Sequence, residues 1–209
     1  METIIMGVLM AASVIGMTFI IERGLALREG KVMPREVKSA LASFRATEEL
    51  PMLSRLCQQH PSPLSRLALY AEKSRNFTRA ENASGLETTA RHEISRLERG
   101  LVILEITVGI APLLGLVGTI YGLIALFAEL GASGMGDNAR LANGIAFALR
   151  ATLLGLITAI PSLVAWSYYN KKIETMGAEM AALCEGFLRQ LYHQHDAGEM
   201  AERPAAARS

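Results

Sequence analysis

Hydrophobic and polar positions fall into blocks along this chain. Three windows, about residues 4 to 21, 102 to 128 and 143 to 168, are almost free of charge. Each is near or above the roughly 18 to 20 residues that cross a bilayer as helix. The intervening polar stretch has helical spacing instead. In LSRLALYAEKSRNF, Leu64, Leu67, Ala68 and Ala71 recur on one face, while Pro34, Pro51 and the Pro61-Ser62-Pro63 step punctuate the run. This pattern predicts a small helical bundle. Ser84 and Glu87 have the spacing of a capping box, and nothing after them breaks a helix before the second apolar window. One helix is therefore predicted from about Gly85 to Ala128, roughly 65 Å long. The third window runs on through KKIETMGAEMAALCEGFLRQLYHQ without a proline.

The elements give an all-α integral membrane protein with three transmembrane helices, two of them long and extending into a cytoplasmic helical domain. The predicted organisation is a first transmembrane helix at 1–22, a cytoplasmic helical insert at 23–100 and a second transmembrane helix at 101–128. A short periplasmic link follows at 129–142, then a third transmembrane helix at 143–169, a cytoplasmic helical extension at 170–195 and a disordered tail at 196–209. So little globular core in one copy predicts assembly with other copies.

Charge orients the spans. The 209 residues carry 21 basic and 20 acidic side chains, but the balance is uneven along the chain. Residues 22–99 hold 14 Lys and Arg, the 129–142 link holds only Arg140, and five follow Tyr169. By the positive-inside rule the N-terminus and the link face outward, and the insert and C-terminus face the cytoplasm. The first window begins Met1-Glu2-Thr3 without a basic n-region, which fits a retained span rather than a secretory signal. Trp166, Tyr168, Tyr169, Lys171 and Lys172 form an interfacial anchor at the cytoplasmic boundary.

Candidate chemistry is sparse. Cys57 and Cys184 lack metal-site spacing and are expected as reduced thiols, with no metal and no cofactor. The spread of basic charge does not suit a nucleic-acid groove. His60, His92, His193 and His195 lie outside the apolar windows, and no G-x-S-x-G occurs, so no nucleophile and base meet at membrane depth and the chain is not read as an enzyme. Small residues line one face of each later span: Ala111, Gly115, Gly118, Thr119 and Gly122 on one, and Ala148, Thr152, Gly155, Ala159 and Ser162 on the other. Such stripes let helices approach closely, and the threonines add hydroxyls that either bond their own helix or line a hydrated path. Pro112 and Pro161 are assigned to packing. Glu105 lies about 40° around the helix from Thr119, near the cytoplasmic end. Arg150 is a charge inside an apolar segment and needs a partner, a water-filled cavity or a route to the surface.

The segments PLLGLVGTIYG, from Pro112 to Gly122, and ALRATLLGLITAIP, from Ala148 to Pro161, resemble the two signature helices of the MotA/TolQ/ExbB proton channel family. The first window, ending in Glu22-Arg23, the short link and the insert resemble its three-helix ExbB/TolQ branch. The resemblance implies a homopentamer with a central pore, occupied by a dimeric ExbD/TolR-like single-span partner whose membrane aspartate takes up and releases the ion. It also implies an ion channel or stator subunit that converts ion-motive force into mechanical work, with protons preferred over sodium, acting on a TonB/TolA-like periplasmic effector. The alternative is a structural membrane oligomer without conduction. By position, Thr119 and Thr152 would line the ion path, and Glu105 would serve ion exit or coupling. Gly115, Gly118, Gly122 and Gly155 would serve close helix packing. Two positions depart from the family. Phe147 stands where ExbB-like members carry a glutamate, and Arg150 occupies a position usually apolar there. Both are assigned to the interface with the partner or a neighbouring subunit.

Overall fold

The computed structural model describes residues 2–45, 47–133 and 138–202. It is all-helical, with no strand among the described residues. In chain order the helices are α1 (Glu2–Ala26), α2 (Glu29–Val32), α3 (Arg35–Ser43), α4 (Leu50–Gln59), α5 (Pro63–Lys73), α6 (Arg79–Glu98), α7 (Leu101–Ser133) and α8 (Asn138–Glu202). Three stretches are long and apolar enough to cross a membrane: Thr3–Ala26, Leu101–Ala128 and part of α8 within Ala142–His193. The chain divides into two compact units, Met1–Leu25 with Arg99–Asn170, and Ala26–Glu98 with Lys171–Ser209.

The predicted helix from Gly85 to Ala128 is two helices. α6 ends at Glu98 and α7 begins at Leu101. At the turn, Gly100 lies against the Arg23 guanidinium, where a Cβ would collide. Local propensity does not carry that information. The start of α6 also differs from the expected box at Ser84. Thr78 caps it instead, its Oγ1 accepting from the Glu81 amide at 3.3 Å while the Thr78 amide donates to Glu81 Oε2 at 3.0 Å. Both tetrads have the required form, and the earlier one prevails because nothing between them interrupts the helix. α7 runs to Ser133 and α8 begins at Asn138, so helix enters the link from both sides; 134–137 lie outside the described residues. α8 likewise continues to Glu202, past the start of the expected tail, and 203–209 lie outside the described residues.

The polar unit packs α3, α4, α5 and α6 around an apolar core. Val37, Leu41, Leu53, Leu64, Leu67 and Phe187 are all at most 5% exposed. Phe44 meets Phe187 edge to face at 4.8 Å between ring centroids. Ser62 caps α5 by accepting from the Ser65 amide, with Pro63 in the first turn where its missing N–H costs nothing. Cys57 and Cys184 are free and buried, and burial pushes the Cys57 thiol up to about 11. That leaves essentially no thiolate at neutral pH.

A half-exposed arginine and a buried glutamate tie α5 to α6. Arg66 holds Glu93 in a fork, Nε to Oε1 at 2.8 Å and Nη2 to Oε2 at 2.5 Å, and Arg96 adds a longer contact at 3.5 Å. Burial alone would push the Glu93 carboxyl up, but hydrogen bonding and charge from Arg66 and Arg96 outweigh it and hold the group below the usual carboxylate range. A depressed folded value stabilises the fold above the unfolded carboxylate pKa of about 4.3, and the gain is lost as pH falls through the folded value. In the purified full chain, Glu93→Gln is therefore expected to cost about 1 to 3 kcal/mol at pH 7 and to weaken the acid-side fall in melting temperature. An unchanged acid limb in that variant would remove the pair from the account.

Candidate ion-conducting site

Within the apolar unit two sets of contacts fix the register of the three spans. Ile5, Gly118 and Ala151 meet at one level, because a Cβ on Gly118 would lie 2.5 Å from Ala151 Cβ and 3.3 Å from the Ile5 side chain. Gly16, Thr107 and Ser162 meet at another, where a Cβ on Gly16 would lie 3.1 Å from Ser162 Oγ and 3.3 Å from Thr107 Cγ2. The two levels are 11 residues apart on every helix, counted from 5 to 16, 107 to 118 and 151 to 162. α1 therefore runs parallel to α8 and antiparallel to α7.

The α7–α8 seam is built from missing side chains. A Cβ on Gly155 would lie 2.6 Å from the Ala111 carbonyl oxygen and 3.2 Å from Gly115 Cα. One on Gly115 would lie 3.0 Å from both the Ala151 oxygen and Thr152 Cα, and one on Gly122 would lie 3.0 Å from the Phe147 ring. Backbone thus meets backbone along the seam, which is how small residues hold helices together where lipid supplies no hydrophobic drive.

Most hydroxyls near the seam are consumed locally. Thr107 donates to the Ile103 carbonyl at 2.8 Å, Thr158 to Leu154 at 2.9 Å and Ser162 to Thr158 at 2.8 Å, and all three side chains are buried. Thr119 donates to Leu116 at 2.6 Å. Thr152 differs. Its Oγ1 reaches across to the Gly115 carbonyl on α7 at 3.4 Å, a length at which a hydrogen bond is weak. Its proton and both lone pairs remain largely available to a stronger partner.

Each threonine is displaced by about 70° from the line of α7–α8 contact, in the same rotational sense, which in an antiparallel pair puts both on one flank. They are not hydrogen-bonded to each other. Glu105, exposed, lies on the same flank 14 residues or about 21 Å along α7. Arg150, also exposed, lies on the other flank, about 160° from Thr152. Phe147 is half-buried with its ring beside Gly122, so part of that ring is used inside the chain.

Sequence reasoning passed over the α1 contacts. Tyr169 donates its hydroxyl to the Ile20 carbonyl at 2.8 Å and sits beside Gly24, while Gly16 makes room for Ser162 and Thr107. The available signal was the eight-residue spacing of Gly16 and Gly24, which puts two small residues about 80° apart on α1.

Comparison with known proteins places the chain among membrane transport relatives. The family model described as the MotA/TolQ/ExbB proton channel family matches residues 59–182, which take in α5, α6, α7 and much of α8. A biopolymer transport ExbB-like protein of Synechocystis is 34% identical over 171 residues, covering 77% of this chain and 65% of its own. The Tol-Pal system protein TolQ of Pseudomonas aeruginosa is 29% identical over 187 residues, covering 83% of this chain and 80% of its own. An ExbB homologue of Methanothermobacter thermautotrophicus is 35% identical over 116 residues, 56% of this chain and 41% of its own. The chain spans less than two thirds of the length of both ExbB-type relatives, 41% and 65%.

Proposed function

The chain belongs to the MotA/TolQ/ExbB proton channel family, and from that premise we propose that it is the ion-conducting stator subunit of an energy-coupling machine in the bacterial inner membrane. Five copies would enclose a pore lined by α7 and α8, with the N-terminus periplasmic and the C-terminus cytoplasmic. A dimer of an ExbD/TolR-like single-span protein would occupy the pore and supply the membrane carboxylate. A TonB/TolA-like element would receive the work.

The observation that supports this reading most is the loosely held Thr152 hydroxyl. A carboxyl group that cycles between protonated and ionised forms needs a neighbour able first to accept and then to donate, and a threonine hydroxyl does both. Thr119, whose proton is already given to Leu116, would serve on the same flank as acceptor alone. Glu105, on that flank towards the cytoplasmic end, would receive ions leaving the pore. Protons are the preferred ion, because one hydroxyl suits proton exchange while sodium calls for a shell of several oxygens.

A scaffold without conduction draws support from the self-satisfied hydroxyls of Thr107, Thr158 and Ser162. Flux decides between the two. Vesicles holding this chain together with its single-span partner are expected to pass protons down an imposed pH gradient in sodium-free buffer, and vesicles lacking the partner's membrane carboxylate are not. Absence of flux under any gradient, with the assembled complex present, would leave the scaffold.

A further inference from the structure

The sequence places Arg150 near the middle of an apolar window, but the tertiary register places it elsewhere. The level of Tyr169 marks one hydrocarbon boundary. Its hydroxyl bonds the Ile20 carbonyl and touches Gly24, next to Glu22-Arg23 on α1, and Arg23 in turn lies against Gly100 in the turn before α7, beside Arg99. Charged residues on α1 and in the turn before α7 and an aromatic belt on α8 thus stand at the same level, as they do where hydrocarbon meets headgroups. From Tyr169 to Arg150 is 19 residues of uninterrupted helix, or about 28 Å, against a hydrocarbon core of about 30 Å. A tilt of about 20° shortens this by only about 2 Å. Measured from Tyr169, Arg150 thus lies about one hydrocarbon thickness away. The window misleads because its 26 residues cover about 39 Å, more than the core, so its centre is not the bilayer's centre.

The surroundings of Arg150 are apolar and uncovered within the chain. Leu149, Leu153 and Ile157 beside it are 66%, 57% and 54% exposed, and among the described residues the guanidinium makes no hydrogen bond or ion pair. Its flank is the one away from Thr152. A guanidinium at this level presents a planar fork of donors matched to a phosphate, and its stem lets the charge rise while the methylenes stay in hydrocarbon.

We propose that Arg150 binds the phosphate of a lipid headgroup at the membrane face opposite Glu22-Arg23, on the side of α8 away from Thr152. This rests on the membrane-spanning reading and not on conduction, so neither measurement below reads flux. A nitroxide on Leu149→Cys, with Arg150 kept and Cys57 and Cys184 changed to serine, is expected within about 5 Å of the phosphate level in phosphatidylglycerol and phosphatidylethanolamine vesicles. A label near the bilayer centre would overturn the proposal. Native mass spectrometry of the full chain from the same vesicles is expected to show bound phosphatidylglycerol in wild type and Arg150→Lys, with at least a twofold loss in Arg150→Leu. Added diacylglycerol, which lacks phosphate, is expected to bind all three alike. Full lipid retention by Arg150→Leu overturns the proposal, whether the oligomer stays intact or falls apart; the latter would point to a carboxylate on a neighbouring copy.

Discussion

Gly155→Val is expected to prevent α7 and α8 from packing, and with that to abolish recovery of an assembled, folded protein. The first atom of any side chain at 155 would sit 2.6 Å from the Ala111 carbonyl oxygen and 3.2 Å from Gly115 Cα. Both are backbone, so no rotamer change relieves the clash; the helices must move apart. Separation would also loosen the contacts at Gly115 and Gly118 on the same seam. Overpacking a well-packed site by even a methyl costs about 1 to 3 kcal/mol, and valine adds two more carbons. With a total stability of about 5 to 15 kcal/mol, such a loss is large.

The other seam glycines form a graded series that tests the cause. Gly118→Ala meets Ala151 Cβ, a side-chain atom that cannot rotate away, and Gly115→Ala meets backbone at 3.0 Å. Gly122→Ala meets the Phe147 ring at 3.0 Å, which can swing aside. Thermal melting in detergent is therefore expected to fall most for Gly155→Ala, less for Gly118→Ala and Gly115→Ala, and least for Gly122→Ala. Gly109→Ala, with nothing within 4 Å in the chain, is the control and is expected to gain from better helix propensity. Equal losses at all five positions would mean that helix propensity or oligomer contacts, and not the α7–α8 approach, set the stability.

What could be read in advance was whatever depends on one helix at a time. The three spans are legible because a charge-free run of that length has few other uses, and the small-residue faces are legible because a period near 3.6 follows from covalent geometry. Features that need two helices were not. At the break by Arg99-Gly100 the neighbour is Arg23, about 77 residues earlier, and the partner of the Tyr169 hydroxyl is the Ile20 carbonyl, 149 residues earlier. The same limit applied to hydroxyls. Thr152 and Thr158 are threonines of the same apolar window, yet Thr158 bonds its own helix at 2.9 Å and Thr152 reaches to another.

That difference makes Thr152 the position where chemistry and packing are expected to separate. Thr152→Val keeps the branched shape and volume and removes only the hydroxyl. The bond it deletes, 3.4 Å long, is too weak to matter much for the fold, so assembly and melting temperature are expected to stay near wild type. Proton flux with the single-span partner is expected to fall roughly tenfold or more, equivalent to about 1.4 kcal/mol on the barrier. Thr152→Ala should match it and Thr152→Ser should retain most of the flux, because serine restores donor and acceptor on a smaller frame. Gly155→Val, by contrast, should lose flux only because the assembly is lost. Normal flux through an assembled Thr152→Val complex would show that the hydroxyl only packs, and would move the ion path to another flank of the seam.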